Sequence, residues 1–125
     1  MSIITIEKLT DLLFDDLNRI ASIINTLNSG NFLMTCYVNK SKDKMTAKGE
    51  VEAKKISAKY IKLIKDANNL NNAINKAIAE PNPSRHMALR PNKRGMMTTN
   101  WAGEIEELLK HVDKLTEKRM EFRAH

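Results

Sequence analysis

Apolar residues recur at three- and four-residue steps through three stretches of the chain, and each stretch predicts an amphipathic helix. The first covers residues 4–28, with Ile6, Leu9, Leu13, Leu17, Ile20, Ile24 and Leu27 on one face. Asp11, Asp15 and Asp16 sit toward its N-terminal half, where they suit the helix dipole. Asn28-Ser29-Gly30-Asn31 reads as a stop signal, with Gly30 able to take a left-handed conformation, and it opens a connector over 29–41. Within that connector, Phe32 to Val38 is a short apolar run of strand length. One strand has nothing to pair with in a helical chain, so the run reads as a buried connector or as a subunit contact.

The second helix is expected over about 45–80. Its seam is Ala53, Ile56, Tyr60, Leu63, Ala67, Leu70, Ile74 and Ala77, a heptad pattern that seeks another helix. Small residues at 53, 67 and 77 allow that partner to approach closely. Asn68, Asn69, Asn71, Asn72 and Asn75 have middling helix propensity, so packing has to hold this part helical. Pro81 and Pro83 end the helix, and a basic loop follows over 81–98. The last helix spans 99–122, N-capped within Thr98–Asn100, with a seam of Trp101, Ile105, Leu108, Val112 and Leu115. Arg119 interrupts this seam before Phe122. The expected fold is all-α and a single domain: a long antiparallel hairpin of the second and third helices, crossed by the N-terminal helix.

Composition agrees with helices rather than a β-sandwich or barrel, because aromatics make up only 5% and Gly and Pro are few. Cys36 is the sole cysteine, which leaves no intramolecular disulfide and no cysteine metal set. No stretch combines the features of a secretory leader or reaches the length of a membrane span, so the expected location is the cytoplasm, away from membranes.

Charge changes the picture more. The net charge of +6 is concentrated in two zones. Residues 39–65 carry nine lysines against Asp43, Glu50 and Glu52, and residues 81–98 carry Arg85, Arg90, Lys93 and Arg94 with no acid. Two basic zones on a mildly acidic body point to an anionic partner, although a lysine-rich helix face is also compatible with simple solvation.

Catalytic chemistry finds no purchase in the sequence. His86, His111 and His125 have no partner at metal-ligand spacing, and no nucleophile elbow, phosphate-binding loop or dinucleotide fingerprint is present. The expectation is a binding protein, not an enzyme, and one without a cofactor. The segment from Ser84 to Trp101 is the first candidate for the ligand. Arg85, Arg90, Lys93 and Arg94 offer phosphate-directed donors, with Ser84 and His86 beside them. Thr98, Thr99 and Asn100 stand at a helix N-terminus, a setting that favours anions. Trp101 either stacks on a base or serves as the first core residue of its seam.

Part of the chain resembles a known family. Residues 61–112 are similar to the helical-hairpin phage proteins that sequester bacterial immune signals, the type 2 anti-CBASS sponges and the related hairpin of anti-Thoeris sponges. The likeness rests on Ala67, Leu70 and Ile74, then Pro83-Ser84-Arg85, Ala88-Leu89, and Trp101-Ala102 with Ile105. His86 departs from the pattern where an acid is expected, and Pro91 with Gly95 lengthens the joint before Trp101. The resemblance implies a non-catalytic homo-oligomer that takes up a small anionic nucleotide ligand, a cyclic nucleotide or a cyclic ADP-ribose-type messenger, between protomers. Arg85 and its basic neighbours would then meet phosphates, Ser84 would supply a hydroxyl, and the site of action would be the cytoplasm of an infected host cell.

Two alternatives stand beside it. Lys44, Lys48, Lys55, Lys59 and Lys62 form a strip along one side of the second helix, which suits a nucleic-acid backbone. No helix-turn-helix, zinc or aromatic strand signature accompanies that strip. The heptad seam, if left exposed, suits instead a helical protein–protein inhibitor.

Overall fold

The computed structural model describes residues 6–79, 90–91, 97–98 and 100–124. It consists of helix α1 (Ile6–Ser41), helix α2 (Ala47–Ala79), strands β1 (Arg90–Pro91) and β2 (Met97–Thr98), and helix α3 (Asn100–Ala124). The fold is all-α in character, with three long helices and one minimal ladder among the described residues. In that ladder β1 and β2 run antiparallel, Arg90 opposite Thr98 and Pro91 opposite Met97. The expected second and third helices agree with the observed ones to within two residues at each end.

The first helix does not. The expected stop at 28–31 and the connector over 29–41 are corrected: α1 continues through both as an unbroken helix of 36 residues, about 54 Å long at 1.5 Å per residue. The reason is a heptad that the apolar pattern conceals. Leu13, Asp16, Ile20, Ile23, Leu27, Gly30 and Met34 are all buried and follow one another at alternating three- and four-residue steps. Two of the seven are not apolar. Asp16 is only 5% exposed and is engaged there by a hydrogen bond or an electrostatic interaction. Leu17 and Ile24, expected on the seam, lie half-buried beside it. The side chains of Ile6 and Leu9 lie outside the described residues.

Gly30 is a contact point between helices rather than a cap. A Cβ there would come within 2.6 Å of the Tyr60 Oη and 2.7 Å of its Cε1, far inside van der Waals contact. The absence of a side chain at 30 is therefore what lets Tyr60 lie against α1. Glycine inside a helix costs about 1 kcal/mol relative to alanine, and the packing of Tyr60 offsets it. Threonines on α1 are accommodated by hydrogen bonds back along the helix, Thr26 Oγ1 to the Ser22 carbonyl at 3.0 Å and Thr35 Oγ1 to the Asn31 carbonyl at 2.9 Å. The run from Phe32 to Val38 is thus helix, with Met34 turned into the core and Phe32 and Leu33 left exposed.

A tight turn joins α1 to α2, closed by the Lys44 N–H donating to the Ser41 carbonyl at 2.9 Å. Thr46 caps α2, its Oγ1 accepting from the Gly49 N–H at 3.1 Å. The expected α2 seam is buried at Ala53, Ile56, Tyr60, Ala67, Ile74 and Ala77, with Leu63 and Leu70 packed at its edges. Its facing helix α3 buries Ile105, Leu108, Val112 and Leu115. Lys59 lies beside Lys118, Asp66 beside His111 and Ala73 beside Trp101, so α2 and α3 run antiparallel. Tyr37 and Phe122 meet edge to face, with ring centroids 5.5 Å apart at 82°, and α1 runs parallel to α3. Among the described residues, the core is the line where the three seams meet.

Candidate functional site

The segment first suspected of holding a ligand is only sparsely described. Ser84, Arg85, His86, Lys93, Arg94 and Thr99 lie outside the described residues. Arg90 and Thr98 are placed by their backbone, directly opposite each other in the β1–β2 ladder. Trp101 is half-buried and packed against the core, so it anchors the start of α3. The cleft that Trp101 lines between α2 and α3 carries Asp66, Glu104 and Glu107. This end of the α2–α3 groove is acidic, which the absence of acids within residues 81–98 did not foretell.

Farther along the same groove the sign reverses. Lys59, Lys62 and Asp66 of α2 face His111, Lys114 and Lys118 of α3 across a cleft of about 370 Å3, floored by Leu63 and Leu115. Four lysines and an imidazole thus share the groove with one carboxylate. The placement follows from the seam: these residues sit one position to the side of buried or half-buried ones, and both helices turn their basic edges to the same side of the hairpin. Lysine stems lie along apolar surface there while their ammonium groups reach the rim.

Lys59 and Lys118 come within hydrogen-bonding reach of each other. That contact, with the like charge it brings, holds the Lys59 ammonium below the ordinary lysine range. The Lys55 charge adds to this effect and Glu52 opposes it. Lys55 is drawn to Glu52 at 3.9 Å, an exposed pair worth little in water. Among the described residues, neither ammonium group makes an ion pair within 4.0 Å, and Lys59 is fully exposed.

The expected lysine strip divides between two sites. Lys59 and Lys62 line the groove, whereas Lys44 and Lys48 lie at the turn end, around a separate cavity of about 550 Å3 beside Tyr37 and Phe122. The sequence reading missed Lys114, Lys118 and His111 as partners of the strip, because the outer face of α3 alternates in charge. The available signal was positional. His111, Lys114 and Lys118 fall at three- and four-residue steps along one edge of α3, next to the seam, while Glu104 and Glu107 occupy that edge nearer the loop. Arg119, read as an interruption of the seam, instead reaches inward and donates from Nε to the Tyr60 Oη at 3.0 Å.

Comparison with family models, curated proteins and solved structures finds no match to this chain.

Proposed function

We propose that this protein binds the phosphate backbone of a nucleic acid in the basic half of the α2–α3 groove, and that its role is binding rather than catalysis. The observation that carries the reading is the convergence of Lys59, Lys62, Lys114 and Lys118 from two helices on one cleft. Lysines act as point charges toward phosphates and need no fixed angular geometry, so a row of them follows a backbone without reading its sequence. Binding would also relieve the Lys59–Lys118 repulsion by placing an anion between the two. Chemical-shift mapping with a short mixed-sequence oligonucleotide tests the assignment. The resonances of Lys59, Lys62, His111, Lys114 and Lys118 should move together while the exposed face of α1 stays still. Shifts confined to α1, or to the 81–98 segment, would contradict it.

A second reading is favoured by Phe32 and Leu33, adjacent on α1 and 68% and 45% exposed, which offer an apolar surface to another copy. It takes the chain as a phage-type homo-oligomeric sponge that sequesters cyclic nucleotide or cyclic ADP-ribose-type messengers at residues 84–101. A stable oligomer before any ligand is added is its first requirement. Its second is a thermal shift with one cyclic nucleotide that persists at high salt and disappears in Arg85→Ala. At about a hundred times the dissociation constant such a ligand adds roughly 2.7 kcal/mol. A monomer that shifts with no cyclic nucleotide rules this reading out.

A further inference from the structure

The cavity at the turn end of the bundle has no part in the groove described above, yet it adjoins it. Its walls come from all three helices: Tyr37 and Ser41 of α1, Lys48 and Glu52 of α2, and Phe122 of α3, with Lys44 from the intervening turn. At about 550 Å3 it falls within the roughly 300–1,000 Å3 range of small-molecule sites. Tyr37 and Phe122 both line it, and their rings meet edge to face. The lining is also polar, with the ammonium groups of Lys44 and Lys48, the hydroxyls of Tyr37, Ser41 and Thr46, and the Glu52 carboxylate.

The path from this cavity to the groove is continuous along α2. Lys48, Glu52, Lys55, Lys59 and Lys62 follow one another at three- and four-residue steps, so they form a single stripe on the helix. Lys48 to Lys59 spans 11 residues, about 17 Å along the axis, room for about five stacked nucleotides at roughly 3.4 Å each. Glu52 stands at the junction, lining the cavity and drawing Lys55 toward it at 3.9 Å. A carboxylate there would repel a phosphate inside the cavity and would accept a hydrogen bond from a base N–H. The cavity therefore suits the base of a nucleotide, and the lysine stripe suits the phosphates that follow it.

We propose that the Tyr37–Phe122 cavity is a base-binding subsite that receives the unpaired terminal base of a single strand whose phosphates lie along the α2–α3 lysine groove. The proposal rests on the phosphate-binding reading of that groove and narrows it from nucleic acid in general to unpaired ends. A base within a duplex keeps its faces stacked and cannot present one to the two rings, whereas an unpaired end can.

The test uses the full chain and fluorescence anisotropy at one fixed salt concentration. Three probes are compared: a single strand, the same strand with abasic terminal nucleotides, and a blunt duplex of equal length. Base–aromatic stacking is sequence-tolerant and strong enough that the intact strand should bind roughly tenfold more tightly than the abasic one. Phe122→Leu should remove that difference while leaving blunt-duplex affinity and its salt dependence as they were. Equal affinity of wild type for intact and abasic strands overturns the subsite and leaves the groove standing. Absence of salt-dependent binding to all three probes overturns the groove reading, and the subsite falls with it. The comparison of probes on wild type decides the question even where Phe122→Leu is poorly folded.

Discussion

The Nε–H of Arg119 donates to the Oη of Tyr60 across 3.0 Å, and the ring of Tyr60, 2% exposed, lies against the bare backbone of Gly30. One hydrogen bond and one missing side chain thus tie the three helices at a single level. The hydroxyl of Tyr60 is buried, and leaving a buried donor and acceptor without a partner costs about 1–3 kcal/mol. Arg119→Leu should therefore destabilise the fold by roughly that amount. Replacing both groups, as Arg119→Leu with Tyr60→Phe, should lose less than the sum of the two single changes. Urea denaturation of the four proteins in the cycle measures this. Strict additivity would mean that the bond contributes nothing to the node.

Gly30→Ala sets two effects against each other. Helix propensity alone makes alanine better by about 1 kcal/mol. The new Cβ, however, meets the end of a tyrosine ring that is buried and held by Arg119. Overpacking of this kind costs about 1–3 kcal/mol, and with two ring carbons and the hydroxyl oxygen of Tyr60 under 3.0 Å it should win. The variant is expected to unfold at lower denaturant concentration with an unchanged slope. Unfolding at a higher concentration would show that Tyr60 has room to retreat.

The Lys59–Lys118 contact places stability and binding in opposition. Because the folded-state pKa of Lys59 is depressed, mainly by the hydrogen bond and charge of Lys118, the native state binds fewer protons than the unfolded chain as pH approaches the ordinary lysine value. Native stability should rise as pH increases through the folded pKa, and below it the repulsion is fully present. Lys118→Gln removes that repulsion. It should raise the melting temperature slightly at neutral pH, move the Lys59 titration upward in an NMR pH series, and weaken oligonucleotide binding. A variant less stable and equally competent in binding would mean that Lys118 serves packing and not an anion.

Most of the fold was legible because α2 and α3 bury what their heptads announce. The seam of α2 is occupied by apolar or small residues at every position, and the fold buries or half-buries all of them. Helix α1 was harder to read for a physical reason. At positions 16 and 30 its seam carries an acid and a glycine, and the role of the glycine depends on a residue far away in sequence. Gly30 looks like a helix terminus until Tyr60, thirty residues later, is seen to need the space. The basic groove was half-legible. Lys59 and Lys62 stood out as a strip, but Lys114 and Lys118 alternate with acids along α3, and only the antiparallel register of the hairpin brings them opposite.

The salt dependence of oligonucleotide binding tests the central claim most directly. Each lysine that neutralises a phosphate contributes roughly 0.7–0.9 to the slope of log K against log salt. The four groove lysines together should therefore give a slope of about −3 or steeper. Replacing both Lys59 and Lys118 by glutamine should flatten that slope by roughly 1.5 and lower affinity for every sequence alike. If the slope and affinity of the double variant match those of the wild type, the α2–α3 groove does not hold the phosphates.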